Sequence, residues 1–266
     1  MPYADSDGLR IYYQHEGEGE PALLCLPGWC TDQTLYAPLV ERLSADRRVV
    51  AMDWRGHGRS DAPDGDFGFA ELADDAQAVI EASGVESVVP VAQGQGPWVD
   101  IELRRRLGER VPKMVAVSWP TVTTEGNPFA PLFLSVMQAW QDADRWREAS
   151  EQALTMWLEG APASVETQMR EQMSSYGFGM WSRAGREIST KYEREGTPLQ
   201  ALSRISPPVP IVHVYGQPSA PEYLSAQEAF AREHPWFAVR RVAAVSQFPT
   251  LEAPDETAAV IGEFVR

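Results

Sequence analysis

Cysteine, histidine and positive charge are all scarce in this sequence, and each scarcity removes a class of function. The two cysteines, Cys25 and Cys30, flank Pro27-Gly28-Trp29. Thiols this close on a strand and its turn rarely reach disulfide geometry, and they do not form a Cys-x-x-Cys metal pair. Both are expected to be reduced, in a cytoplasmic protein. The four histidines are His15, His57, His213 and His234. None has metal-ligand spacing with another His, Cys or carboxylate, so no metal site is expected. Lysine and arginine number 23 against 38 aspartates and glutamates, a formal net charge of -15. Such a surface repels nucleic acid and anionic membranes, and its ordinary role is solubility. The N-terminus has no basic stretch followed by an apolar one, the mark of a signal peptide. Apolar runs are too short to span a bilayer, and there is no Gly-rich phosphate loop.

What is present is enough for a large core: hydrophobic residues are 44% of the 266. Ala22–Leu26, Arg48–Met52, Val88–Val91 and Met114–Val117 read as short strands buried on both faces. Leu9–His15 alternates like an edge strand. Helical spacing covers Leu35–Leu43, Phe69–Ser83 and Trp98–Leu107. Strands and helices in alternation predict an α/β fold, a mostly parallel twisted sheet with helices on both faces. From about Pro120 to Pro198 the pattern turns helical and rich in aromatics, Trp140, Trp146, Trp157 and Trp181 among them. Strand signals return at Pro210–Tyr215 and Ala238–Ala243, and a last helix at Pro254–Val265. The expected organisation is a core of residues 1–119 and 199–266, interrupted by a helical cap of residues 120–198.

Three landmarks fall in the order of an α/β-hydrolase. Leu26-Pro27-Gly28-Trp29 follows a buried strand, where such proteins place one oxyanion-hole amide. Asp53-Trp54-Arg55-Gly56-His57-Gly58-Arg59-Ser60 resembles the loop after the next strand. Val88–Trp98 reads strand, turn, helix, and occupies the nucleophile elbow. The elbow motif Gly-x-Ser-x-Gly here reads Ala92-Gln93-Gly94-Gln95-Gly96, with Gly94 at the nucleophile position.

Further segments carry a narrower likeness: Leu26-Pro27-Gly28-Trp29-Cys30, Trp54-Arg55-Gly56-His57-Gly58, Arg145-Trp146-Arg147-Glu148, Met156-Trp157-Leu158-Glu159-Gly160, Glu233-His234-Pro235-Trp236-Phe237 and Phe248-Pro249. By these the chain resembles the cofactor-independent 2,4-dioxygenases that cleave 3-hydroxy-4-oxoquinolines or quinaldines with loss of carbon monoxide. The likeness runs from near residue 22 to the C-terminus and includes the cap, which sets substrate class. It departs from the family at the reactive positions. Gln247 stands where the family's base histidine is implied, and Ser118 where an aspartate orients it. Gly94 replaces the elbow serine, Gln93 and Gln95 replace two flanking histidines, and Thr31 replaces a fourth. The other acid position of hydrolases holds Gln217, with Glu222 nearby. Glutamine cannot accept a proton at neutral pH, and Gly94 supplies no nucleophile. Decay would leave mixed replacements; three glutamines for three histidines point to a retained, altered function.

The resemblance implies an enzyme without cofactor, acting on a planar aromatic, quinolone- or quinone-like metabolite, with dioxygen as a possible partner. The residues expected to act are the amides of Trp29 and Gln95, with Gly94, Gln247 and Ser118; Thr31, Gln93, Cys30, Trp157 and Phe248 are expected to contact the substrate. A base-free cyclase, isomerase or lyase and a non-catalytic aromatic binder remain alternatives, with the protein monomeric or homodimeric. His57 is expected to brace its loop, and His213 to be a bonded core residue.

Overall fold

Five runs, Ala22–Leu26, Val49–Met52, Val88–Gln93, Met114–Val117 and Ile211–Tyr215, are buried at every residue. Strands covered on both faces by helices have no solvent side, so their sequences are continuous rather than alternating. The computed structural model describes residues 3–121 and 129–266, leaving aside the side chains of 129–131. The expected cap therefore includes residues 122–128, which lie outside the described residues.

In chain order the elements are β1 (Tyr3–Ser6), β2 (Leu9–Glu16), β3 (Ala22–Leu26), α1 (Ala37–Leu43), β4 (Val49–Met52), α2 (Phe69–Ser83), β5 (Val88–Gln93), α3 (Pro97–Leu107) and β6 (Met114–Val117). Four helices follow: α4 (Phe129–Trp140), α5 (Trp146–Trp157), α6 (Ala163–Ser174) and α7 (Phe178–Glu195). The chain then returns through α8 (Pro198–Ser203), β7 (Ile211–Tyr215), α9 (Pro221–Glu233), β8 (Phe237–Arg241), α10 (Pro249–Glu252) and α11 (Pro254–Val265). The sheet order is β1-β2-β4-β3-β5-β6-β7-β8, with β1, β2 and β4 antiparallel and the rest parallel. This is the α/β-hydrolase fold.

One expectation is corrected. Leu9–His15 is not an edge strand, because Tyr3–Ser6 pairs outside it. Asp7 and Gly8 turn that hairpin with φ of 52° and 82°, the two-residue geometry that joins tightly twisted strands. The reach between α7 and α4 also has a local cause. A Cβ on Gly185 would collide with the Met137 carbonyl, so glycine lets the two helices close on each other.

The parallel strands all end on one side of the sheet. The turns that follow β3, β5, β6, β7 and β8 carry Trp29, Gly94, Ser118, Gln217 and Gln247. Open parallel sheets bind ligands beyond these carboxyl ends, and helices α4, α5 and α7 lie across this end of the molecule.

Candidate active site

The elbow forms because the chain must reverse from β5 into α3 within three residues. Gly94 takes a φ of +60° there, the left-handed region that costs a side-chain-bearing residue about 1–2 kcal/mol. Its N–H donates to the Val117 carbonyl at 2.9 Å, and the Gly96 N–H to the Gln93 carbonyl at 2.9 Å. A Cβ at Gly96 would sit 3.0 Å from the Gln93 oxygen and 3.1 Å from the Ala92 Cβ, so that glycine lets α3 start close against the strand. A Cβ at Gly94 would meet nothing within 4 Å.

Across from the elbow, Gly28 abuts it: a Cβ there would lie 3.4 Å from the Gln93 carbonyl. The Thr31 hydroxyl donates to the Gly28 carbonyl at 2.9 Å and holds this turn. Neither the Trp29 N–H nor the Gln95 N–H donates to any described residue. Backbone donors without acceptors, on two turns that abut, are the raw material of an oxyanion hole.

Trp29, Gly94, Gln95, Ser118, Gln93 and Thr31 line one end of a cavity of about 320 Å³. Gln247, Phe248, Trp157 and Gln217 line its flank. Its far end is apolar, built from Val136, Met137, Trp140, Met156, Trp181 and Ile188 of the helical segment. Trp157 meets Trp140 edge-on at 6.0 Å, and Trp140 meets Trp181 at 4.7 Å. The Trp29 ring is already stacked on Phe67 at 5.9 Å, so it does not offer both faces to a ligand. No Asp, Glu, His, Lys, Arg or Cys is among the described lining residues. The ionisable side chain there is Tyr223, whose hydroxyl donates to the Trp119 carbonyl at 3.0 Å and whose pKa burial pushes up to about 12.

Cys30, expected to touch the substrate, does not line the cavity. It is fully buried with a φ of +59°, its N–H donates to His57 Nε2 at 3.1 Å, and burial pushes its thiol well up. His57 Nδ1 donates to the Arg55 carbonyl at 3.0 Å, which fixes the tautomer. Burial lowers the His57 pKa to about 4, so it is a neutral brace at physiological pH. His213 is likewise fully buried, accepting the Trp119 N–H at 3.1 Å and donating to Gln227 Oε1.

The glutamines behave differently from one another. The Gln93 amide donates to the Gln247 carbonyl at 2.6 Å, and its Oε1 is buried without a partner. The Gln217 amide donates to the carbonyls of Trp157 at 3.0 Å and Val245 at 2.7 Å. The Gln247 N–H donates to the same Trp157 carbonyl at 2.9 Å. The end of α5 is thus fastened to the turns after β7 and β8. The sequence pointed to Gln217 only as an acid position; its fastening role has no signature in spacing. Ser118 has a φ of +48° and a buried Oγ with no partner.

Among the described residues no group of three or more His, Cys, Asp or Glu is placed to hold a metal ion. No helix among them is long and apolar enough to cross a membrane. The family model of the α/β hydrolases matches residues 23–260. The chain is 36% identical over 264 residues to a 2-heptyl-3-hydroxy-4-quinolone dioxygenase of Rhodococcus erythropolis, covering 97% of this chain and 96% of that one. It is 32% identical over 269 residues to a 1H-3-hydroxy-4-oxoquinoline 2,4-dioxygenase of Pseudomonas putida, covering 100% of each. A solved structure of 1H-3-hydroxy-4-oxoquinoline 2,4-dioxygenase matches with a TM-score of 0.92 at 31% identity over 100% of both chains. Another concerns recognition and ring cleavage of the Pseudomonas quinolone signal and is in complex with its substrate. It matches with a TM-score of 0.91 at 32% identity, over 98% of this chain and 97% of that one.

Proposed function

The chain belongs to the α/β hydrolase family and, within it, to the family of the 3-hydroxy-4-oxoquinoline 2,4-dioxygenases; from this premise we propose that it is a cofactor-independent oxygenase that works without a catalytic triad. Its substrate is a planar hydroxylated aromatic, of quinolone or quinone-like type, that enters the cavity already as its anion. The observation that carries this reading is the lining itself. It offers two unpartnered backbone N–H donors, of Trp29 and Gln95, and no described side chain that titrates near neutral pH.

The chemistry follows from that inventory. A triad hydrolase needs a nucleophile and a base, and Gly94, Ser118 and Gln247 supply neither. A family dioxygenation needs the substrate anion, and a substrate acidic enough to ionise in water brings that anion with it. The donors of Trp29 and Gln95 hold the negative oxygen in a water-poor cavity, where a fixed dipole counts for more than in solution. Trp157 and Phe248 hold the ring beside it. For a 3-hydroxy-4-oxo ring the electrons come from the substrate. The O–O bond and the two ring C–C bonds at C3 break, C–O bonds form at C2 and C4, and C3 leaves with its oxygen as carbon monoxide. No external reductant enters the balance. The protein's contribution is positioning and desolvation.

An oxygen electrode tests this with hydroxyquinolones and more acidic hydroxylated aromatics. Uptake is expected to rise with pH through each substrate's own hydroxyl ionisation, so the profile moves when the substrate changes. A profile fixed at one pH across the panel would mean a base in the protein and overturn the reading. Binding without uptake would transfer the function to a base-free rearrangement or to a binding protein.

A further inference from the structure

The two glutamines beside Gly94 have the same side chain but opposite fates, and their neighbours fix which end of each amide is available. Gln95 Oε1 accepts from the Trp98 indole at 3.0 Å and from the Trp119 indole at 3.3 Å. An indole N–H can only donate, so the oxygen of Gln95 must face the two tryptophans, and the NH2 must face away from them. That NH2 has no partner among the described residues and is not shut off from the cavity, which Gln95 lines. Gln93 is the reverse case. Its NH2 is held by a backbone carbonyl, which can only accept, and its remaining oxygen is buried.

The clamp is rigid. Trp98 and Trp119 are fully buried and meet edge to face at 5.1 Å and 88°. The backbone N–H of Trp119 is itself anchored to His213 Nε2 at 3.1 Å. Neither indole can turn away without disturbing the core.

We propose that Gln95 is a specificity-determining donor and that Trp98 and Trp119 are positioning residues which lock its polarity, so that the site takes ligands presenting an oxyanion, and refuses those presenting a hydrogen-bond donor at that point. This rests on the anion-binding reading above and sharpens it: Gln95 Nε2 is a third N–H beside the backbone donors of Trp29 and Gln95. A histidine at this place could donate or accept according to tautomer and protonation; a clamped amide can only donate, at every pH.

The test is a double-mutant cycle read by ligand binding, with tryptophan fluorescence titration of 3-hydroxy-4-oxoquinoline above the ionisation of its hydroxyl. Gln95→Glu has the same shape and keeps an oxygen on both indoles, but it turns the ligand-facing end into an acceptor with negative charge. It is expected to weaken binding of the anion at least ~100-fold, with thermal stability close to wild type. Trp119→Phe removes one of the two locks and is expected to cost about tenfold in a Gln95 background. In a Gln95→Leu background, where there is no amide to orient, Trp119→Phe is expected to cost nothing further. A merely structural tryptophan would cost the same in both backgrounds, and that result would overturn the proposal, as would Gln95→Glu binding the anion within threefold of wild type. Because the readout is binding, absence of oxygen uptake by the wild-type protein would sink the oxygenase reading and leave this one standing.

Discussion

The loop after β4 and the elbow after β5 lie at the same end of the sheet, with β3 between their strands, yet their buried polar groups have opposite surroundings. In the first, charge is plentiful and the buried charged groups have partners. The Asp53 carboxylate accepts from the Gln33 N–H at 2.8 Å and the Arg59 N–H at 2.8 Å. Arg55 makes a two-pronged pair with Asp75, at 2.8 and 2.6 Å, with both residues buried. His57 is bonded at both nitrogens. In the second, the lining carries no charged side chain, and its donors and acceptors are incompletely used: the amides of Trp29 and Gln95, the Gln95 NH2, and the Ser118 hydroxyl. Buried polar groups are normally bonded, so a frame shows itself by complete pairing and a ligand site by fixed groups left waiting.

The comparison breaks most visibly if the frame is not a frame. Asp75→Ala leaves a buried guanidinium with no counter-charge, and is expected to cost about 3–5 kcal/mol of stability. Urea unfolding measures it. A loss below about 1 kcal/mol would mean that the pair is solvated and that the loop does not depend on it.

A second test concerns Asp100, beneath the elbow on α3. It is fully buried, with neither carboxyl oxygen bonded, and burial holds its pKa well above the usual range. Burial with no partner favours the neutral acid over the carboxylate. The folded state therefore keeps a proton that the unfolded chain releases above about pH 4. The stability tied to that proton is full below the unfolded pKa and is lost as pH rises towards the folded one. Asp100→Asn has no such proton. Its stability relative to wild type is expected to climb by up to about 1.4 kcal/mol per pH unit above pH 4, until the folded-state acid ionises. Denaturation at several pH values reads this directly. A difference that stays constant with pH would mean that Asp100 is charged in the folded protein and has found a partner.

How much of this was legible beforehand divides along the same line. Continuous apolar runs such as Ala22–Leu26 and Val88–Val91 announce strands buried on both faces, because burial there leaves no room for alternation. The tight turn at Gly94 and Gly96 is legible because glycine favours the left-handed conformation at residue 94 and permits the close approach at residue 96. The direction of an amide is not. Whether Gln95 offers an oxygen or an NH2 depends on indoles 3 and 24 residues away in sequence, and Gln93 is turned by a carbonyl 154 residues away. Cys30 follows Trp29 in the same turn, but its positive φ directs it into the core rather than the cavity. The short first strand, Tyr3–Ser6, has no signature in the sequence, because four residues carry too little pattern to register.

The smallest expected effect is at Gly94 itself. A serine there meets no atom within 4 Å of its Cβ, so the only penalty is the φ of +60°, about 1–2 kcal/mol. The hydroxyl would stand in the cavity that the amides of Trp29 and Gln95 also line, and Gly94→Ser is still expected to leave a chromogenic ester untouched, because Gln247 cannot take the proton. Adding Gln247→His supplies the missing base at little structural cost. The Gln247 side chain gives up only a 3.5 Å contact with the Gln217 carbonyl, and its backbone bond to Trp157 does not depend on the side chain. Any activity of the double variant is expected to fall as pH drops through roughly 6.5, where an ordinary imidazole protonates, while the single variant shows no such limb. Ester turnover by Gly94→Ser alone would mean that a proton acceptor reaches the elbow from elsewhere, and would return the site to the hydrolases.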